Sequence, residues 1–267
     1  MLTEPFMPGW KFSKDTRIEG ALDSKEHSFY ADMNSDTIMF VKAIALDVHL
    51  EARQMNNYAY LLIENRELAL SDSSHFRDNL ATLNFFSDTM ETDLTWSLVE
   101  RAASGSISAK SMFHSMDSVT NIIFPSQIIL SGDYWLIPKE TMVDYYKEEW
   151  TVRDALVTNI KESIRLDGVI SNDPESVLRF DVDNFQLDHI NQFVPNRVLD
   201  LKGVTDIHGK ARNVLGILSL EAGMTIDNLA LGKEIIGDLD LNSTWDRGQN
   251  YLSFTGGITD GVRREIQ

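Results

Sequence analysis

The chain has 267 residues, 43% hydrophobic and 24% charged, which is ample for one large or two ordinary domains and too apolar for wholesale disorder. Its 41 acidic against 24 basic residues leave a formal net charge of -17, which repels phosphate backbones and anionic membrane surfaces and excludes nucleic acid as a natural partner. There is no cysteine, so disulfides, thiolate metal sites and cysteine nucleophiles are ruled out, while a cytosol and a bacterial periplasm both stay open.

From the N-terminus onward, apolar and polar residues alternate with the period of a β-strand. Trp10 to Leu22 already has this pattern, and it predicts strands at Ile18 to Leu22, Phe29 to Met33, Ile44 to Leu50, Tyr58 to Ile63, Leu80 to Phe86, Leu94 to Leu98, Ser106 to Lys110, Ile128 to Leu130 and Tyr134 to Ile137. Thr141 to Glu162 fits a helix nearly as well as strands and is read as strand. Beyond it come Ile164 to Ile170, Leu178 to Val182, Leu199 to Ile207, Ile217 to Leu220, Met224 to Leu231, Ile235 to Trp245 and Tyr251 to Ile258. Turn chemistry separates them, as at Ser131-Gly132-Asp133, Asn172-Asp173-Pro174 and Arg247-Gly248-Gln249. The only helix expected is Leu187 to Phe193, about two turns ended by Pro195.

Several segments repeat one grammar, a glycine among apolar residues of a single face: Ile164, Leu166, Gly168, Ile170; Ile235, Gly237, Leu239, Leu241; Leu252, Phe254, Gly256, Ile258. This is a degenerate strand repeat without a strict period. Each strand then has one greasy face, and an apolar side chain left wet forfeits roughly 1.5 to 3 kcal/mol. With almost no helix to cover that face, the choices are a sandwich or barrel, a solenoid, or a curled sheet that admits apolar ligand. Roughly eighteen strands at about 4.8 Å make an open sheet about 85 Å long, which favours a trough. The expected fold is therefore all-β: an elongated, curled antiparallel sheet of many short strands with very little helix.

The run Ser163-Ile164-Arg165-Leu166-Asp167-Gly168-Val169-Ile170-Ser171-Asn172-Asp173-Pro174, then Leu178 to Phe185 and the short helix, resembles the TamB-like translocation and assembly module family in its Bacteroidetes form. Leu199-Asp200-Leu201-Lys202-Gly203, Ile207-His208-Gly209, Leu229-Ala230-Leu231-Gly232 and Gly237 to Asp246 continue the likeness. Upstream, Pro8-Gly9-Trp10-Lys11-Phe12, Ser35-Asp36-Thr37-Ile38, Phe124-Pro125-Ser126 and Tyr134-Trp135-Leu136-Ile137 belong to it as well. The resemblance implies an AsmA-like bridge protein with a U-shaped, apolar-lined groove, the β-taco. It implies a parent anchored in the inner membrane of a Gram-negative bacterium and spanning the periplasm to an outer-membrane barrel partner. The implied tasks are phospholipid transport between membranes and outer-membrane protein assembly. On this view the chain is an internal piece of a longer protein, residues 1–175 forming the first part of the groove and 176–267 continuing its strand repeats.

The groove lining expected to solvate phospholipid acyl chains is Ile164, Leu166, Phe180, Val182, Ile235, Leu239, Leu241, Trp245, Leu252 and Phe254. Barrel contact would fall to other parts of the parent. No catalytic residue, metal site or cofactor is expected, and the chain is read as no enzyme. Asp181 with Asp183, and Asp238 with Asp240, share strand faces where a calcium site or carboxylate pair could start, yet they read better as a solvated outer face. Six scattered histidines show no H-E-x-x-H spacing, and each is read as a surface residue; His208 is read as interrupting a strand. No G-x-S-x-G, Walker loop or G-x-G-x-x-G occurs. Trp96, Trp135 and Trp245 read as core in preference to a sugar platform. The alternatives are a closed β-solenoid, structural or adhesive, with an acidic interaction surface, and a polysaccharide-active β-helix using paired aspartates.

Overall fold

The computed structural model describes residues 9–40, 43–71, 74–98, 103–130, 132–191, 200–246, 248 and 251–259. Along the chain these form β1 (Trp10–Phe12), β2 (Arg17–Asp23), β3 (Ser28–Phe40), β4 (Ala43–Met55), β5 (Tyr58–Ser71), β6 (Ser74–Phe86), β7 (Thr89–Leu98), β8 (Ala103–Ser115), β9 (Ser118–Ile123) and β10 (Ser126–Leu130). Then follow β11 (Asp133–Ile137), β12 (Thr141–Tyr146), β13 (Glu149–Thr158), β14 (Ser163–Ile170), β15 (Val177–Gln186), α1 (Asp188–Asn191), β16 (Leu201–Arg212), β17 (Ser219–Leu231), β18 (Glu234–Asp246) and β19 (Tyr251–Thr259). The fold is all-β, an antiparallel sheet architecture with, among the described residues, one turn of helix, as the alternation required.

The chain divides into two compact units, Met1–Phe113 with Ile123–Tyr134, and His114–Ile122 with Trp135–Gln267. In the first, β2 to β8 form a meander in which each strand pairs with the next, β10 adds to β8, and β1 lies beside the far end of β3. Its core is Ile38, Ala45 and Val48, packed by Phe12, Met33, Phe40 and Leu68. Asp47 has a left-handed backbone, φ +51°, held by an ion pair to Arg66; Asp tolerates that conformation better than most residues.

In the second unit β12 to β19 form another meander, with β11 beside β13. Its alternate strands carry one recurring device. The ladder slips between Val152 and Ala155 in β13, Val182 and Phe185 in β15, and Ile226 and Leu229 in β17. At each slip an Asp or Asn is left-handed: Asp154 (φ +46°), Asn184 (φ +52°), Asn228 (φ +54°). The backbone N–H of each donates to an aspartate on the next strand, Asp167 (3.0 Å), Asp206 (2.6 Å) and Asp238 (2.9 Å) respectively. These β-bulges shift the alternation by one residue.

The Thr141 to Glu162 stretch is two strands, joined at Lys147 and Glu148, both with positive φ. Two expectations change. Ile217 to Leu220 and Met224 to Leu231 are not separate: one strand, β17, starts at Ser219 and runs through Gly223, which pairs with His208 and Asn242. Likewise β16 continues through His208 to Arg212, because every residue there finds a ladder partner on both sides. The expected helix is a single turn in its described part; Phe193 and Pro195 lie outside the described residues.

Candidate functional site

Cross-strand partners in an antiparallel sheet project from the same face, so the register of the second unit assigns each side chain to a side. One row runs Ile164, Val182, Ile207, Met224, Leu241, Gly256 across β14 to β19. The next is Leu166, Phe180, Gly209, Ala222, Ser243, Phe254, and a third is Gly168, Leu178, Ala211, Leu220, Trp245, Leu252. On the other flank lie Phe185, Thr205, Ile226, Leu239 and Ile258, with the bulge in β15 keeping Phe185 on this face. Nine of the ten residues expected to line a groove thus share one apolar face. The tenth, Ile235, lies beyond the register slips near Gly237 and is 78% exposed.

Leu178, Ile207, Ala211, Leu220, Met224 and Ile226 share this face as well, and the same alternation marks them in sequence. The glycines on this face are for close packing. A Cβ on Gly209 would lie 2.3 Å from the Phe180 ring, and one on Gly168, at φ +126°, would lie 2.2 Å from the Val177 carbonyl oxygen. In the first unit Trp96 lies over Gly105 in the same way.

Burial changes along the face. Thr205 is 1% exposed, Ile226 6% and Ala211 7%, whereas Leu252, Phe254 and Ile258 in β19 are 59%, 68% and 58% exposed. The opposite face is polar: Arg165, Asp181, His208 and Asn242 form one row, and Lys210 pairs with Glu221 at 2.7 Å. His208 Nδ1 lies 2.9 Å from Asp181. That hydrogen bond, ahead of an opposing but weaker desolvation, holds the imidazole above its ordinary pKa, and Asp183 and Asp206 add to it.

The covered end of the apolar face ends in a buried polar clasp. Trp135 is 2% exposed, with its ring 6.1 Å from Phe185 and 5.8 Å from His189. His189 at the start of α1 donates from Nε2 to Glu162, 3.1 Å away. Glu162 also accepts from the Asn159 side chain (2.9 Å) and the Gln186 backbone N–H (3.0 Å). Burial pushes the Glu162 carboxyl up, but these three hydrogen bonds outweigh it and hold the pKa below the usual glutamate value. The expectation that every histidine sits on the surface fails here: His189 is 3% exposed. A histidine can be buried when a buried acid meets its ring, and that partner, 27 residues upstream, has no short-range signature.

The carboxylates singled out in sequence have local tasks. Asp181 holds His208, Asp183 accepts from Ser163 Oγ at 2.7 Å, and Asp238 caps the Asn228 bulge. Of the tryptophans, Trp135 is buried, Trp245 half-buried on the apolar face, and Trp96 stacked over a glycine. Compared with known protein families, curated proteins and solved structures, the chain matches none.

Proposed function

We propose that the second unit's apolar face solvates phospholipid acyl chains, the chain being a segment of a TamB-like bridge between inner and outer membranes of a Gram-negative envelope. The observation that carries this reading is that nine of the ten apolar residues expected to line a groove share one face, which is exposed toward β19. No residue acts chemically and no cofactor takes part. A lipid tail gains about 0.8 kcal/mol per buried methylene, so a broad apolar surface holds it without any tight local site. The sequence resemblance supplies the envelope setting and the barrel partner. The exposure of β19 supports an open face over a closed solenoid filled by its own side chains.

The test is lipid extraction and native mass spectrometry of the purified chain beside two variants. Leu241→Arg places a charge in the middle of the apolar face, and Asp240→Asn changes its neighbour on the polar face. Phospholipid bound by the wild type and by Asp240→Asn, and lost from folded Leu241→Arg, is the expected result. A lipid-free wild type, or equal loss in both variants, would overturn the proposal.

A further inference from the structure

The first unit carries a cavity of about 620 Å³ lined by Lys14, Asp15, Thr16, Arg17, Asn34 and Asp36. Small-ligand sites occupy about 300 to 1,000 Å³ and are recognised by a few convergent polar groups. The loop between β1 and β2 forms one side of this cavity and β3 the other.

The frame is held in place from below. The Ser13 backbone N–H donates to the Thr37 carbonyl at 2.9 Å, which ties the loop to β3. The Ser35 hydroxyl, 5% exposed, donates to the same carbonyl at 3.0 Å and lies 2.7 Å from the Thr16 hydroxyl. Arg17 and Asn34 are direct cross-strand partners, and the Asn34 amide donates to Asp32 at 2.6 Å. A site fixed in this way loses little conformational freedom when a ligand binds.

The lining is doubly charged in both senses. Lys14 and Arg17 bring two cations to a chain whose formal net charge is -17, and Asp15 and Asp36 bring two carboxylates. Among the described residues, none of the four forms an ion pair. Asp36 lies two residues along β3 from Asn34, so Arg17 and Asp36 stand at diagonal positions about 7 to 8 Å apart. A simple anion would answer the two cations and be repelled by the carboxylates, whereas a molecule with both charges a few bonds apart answers all four. Arginine grips a phosphate through two parallel N–H bonds, and a phosphate offers further oxygens to Lys14 and the Thr16 hydroxyl.

We propose that this cavity binds a small zwitterion, a phosphate ester joined through a few bonds to a primary ammonium, with Lys14 and Arg17 on the phosphate and Asp15 and Asp36 on the ammonium. This inference is independent of the acyl-chain reading, which concerns uncharged tails on the other unit.

The test is calorimetric titration of the full chain with O-phosphoethanolamine. One equivalent should bind, and inorganic phosphate and ethanolamine should each bind at least about tenfold more weakly, because each lacks one of the two charge-assisted contacts. Arg17→Gln should weaken O-phosphoethanolamine and inorganic phosphate alike. Asp36→Asn, with unchanged circular dichroism, should weaken O-phosphoethanolamine at least about tenfold and leave inorganic phosphate no weaker. Vesicles of phosphatidylcholine with and without phosphatidylethanolamine then identify the source. Binding that rises with phosphatidylethanolamine and falls in Asp36→Asn supports a lipid headgroup; binding of the soluble compound alone supports a free metabolite. A wild type that takes O-phosphoethanolamine no better than inorganic phosphate overturns the proposal, and so does an Asp36→Asn variant that binds O-phosphoethanolamine as tightly as the wild type.

Discussion

The two ends of one apolar face behave oppositely. At β16 and β17 the face is covered: Thr205, Ala211 and Ile226 are buried, and on the neighbouring β15 the rings of Trp135 and His189, the latter held by Glu162, pack against Phe185. At β19 the same rows end in Leu252, Phe254 and Ile258, each more than half exposed. Residue type barely distinguishes the two ends, since both offer aliphatic and aromatic side chains at alternate positions. What differs is burial, nearly complete at Thr205 and Ile226 and slight along β19.

The largest expected effect is at the covered end. Trp135→Ala should cost about 3 to 5 kcal/mol in urea unfolding, from lost burial and the cavity left behind. If Trp135→Ala proves as mild as Phe254→Ala, which should cost under about 0.5 kcal/mol, the contrast between the ends collapses.

Next is the clasp. Glu162→Gln keeps an acceptor for Asn159 and His189 but points an amide at the Gln186 N–H, and should cost about 1 to 3 kcal/mol. Because the folded pKa of Glu162 is lowered, its contribution is complete above the unfolded value of about 4.3 and is lost as pH falls through the lower folded value. Wild type and Glu162→Gln should therefore converge in stability on acidification, and parallel curves down to low pH would refute the assignment.

A smaller effect belongs to the bulges that keep Phe185 on the apolar face. Asp206→Ala removes the acceptor for the left-handed Asn184 and should cost about 1 kcal/mol, while Asn184→Gly, which suits that backbone, should stay within about 0.5 kcal/mol of wild type. Asn184→Gly costing more than Asp206→Ala would mean the Asn184 side chain matters more than its conformation.

The smallest effect lies on the polar face. The raised pKa of His208 means its pairing with Asp181 is complete below about pH 6.5 and fades as pH rises through the higher folded value. In an NMR titration Asp181→Asn should bring His208 back toward the ordinary imidazole value, with global stability almost unchanged because the pair is exposed.

Much of this was legible in sequence, for a local reason. That Leu166 and Phe180 share a side follows from the period-two geometry of each strand once the pairing is known, and the register makes them direct cross-strand partners. Gly223, by contrast, looked like a gap between strands, because a single residue type cannot announce that His208 and Asn242 will flank it. The left-handed Asp154, Asn184 and Asn228 were equally silent: Asp and Asn are common on solvated strand faces, and their role depends on an aspartate supplied from the neighbouring strand.

The sequence by itself determined the all-β architecture and the division of each strand into an apolar and a polar side, since alternation is a property of neighbouring residues along the chain. Only the tertiary structure decided where that alternation slips, which end of the apolar face is covered, and that His189 is buried against Glu162. Those outcomes depend on contacts between residues far apart in sequence, where burial, hydrogen-bond satisfaction and register are settled together.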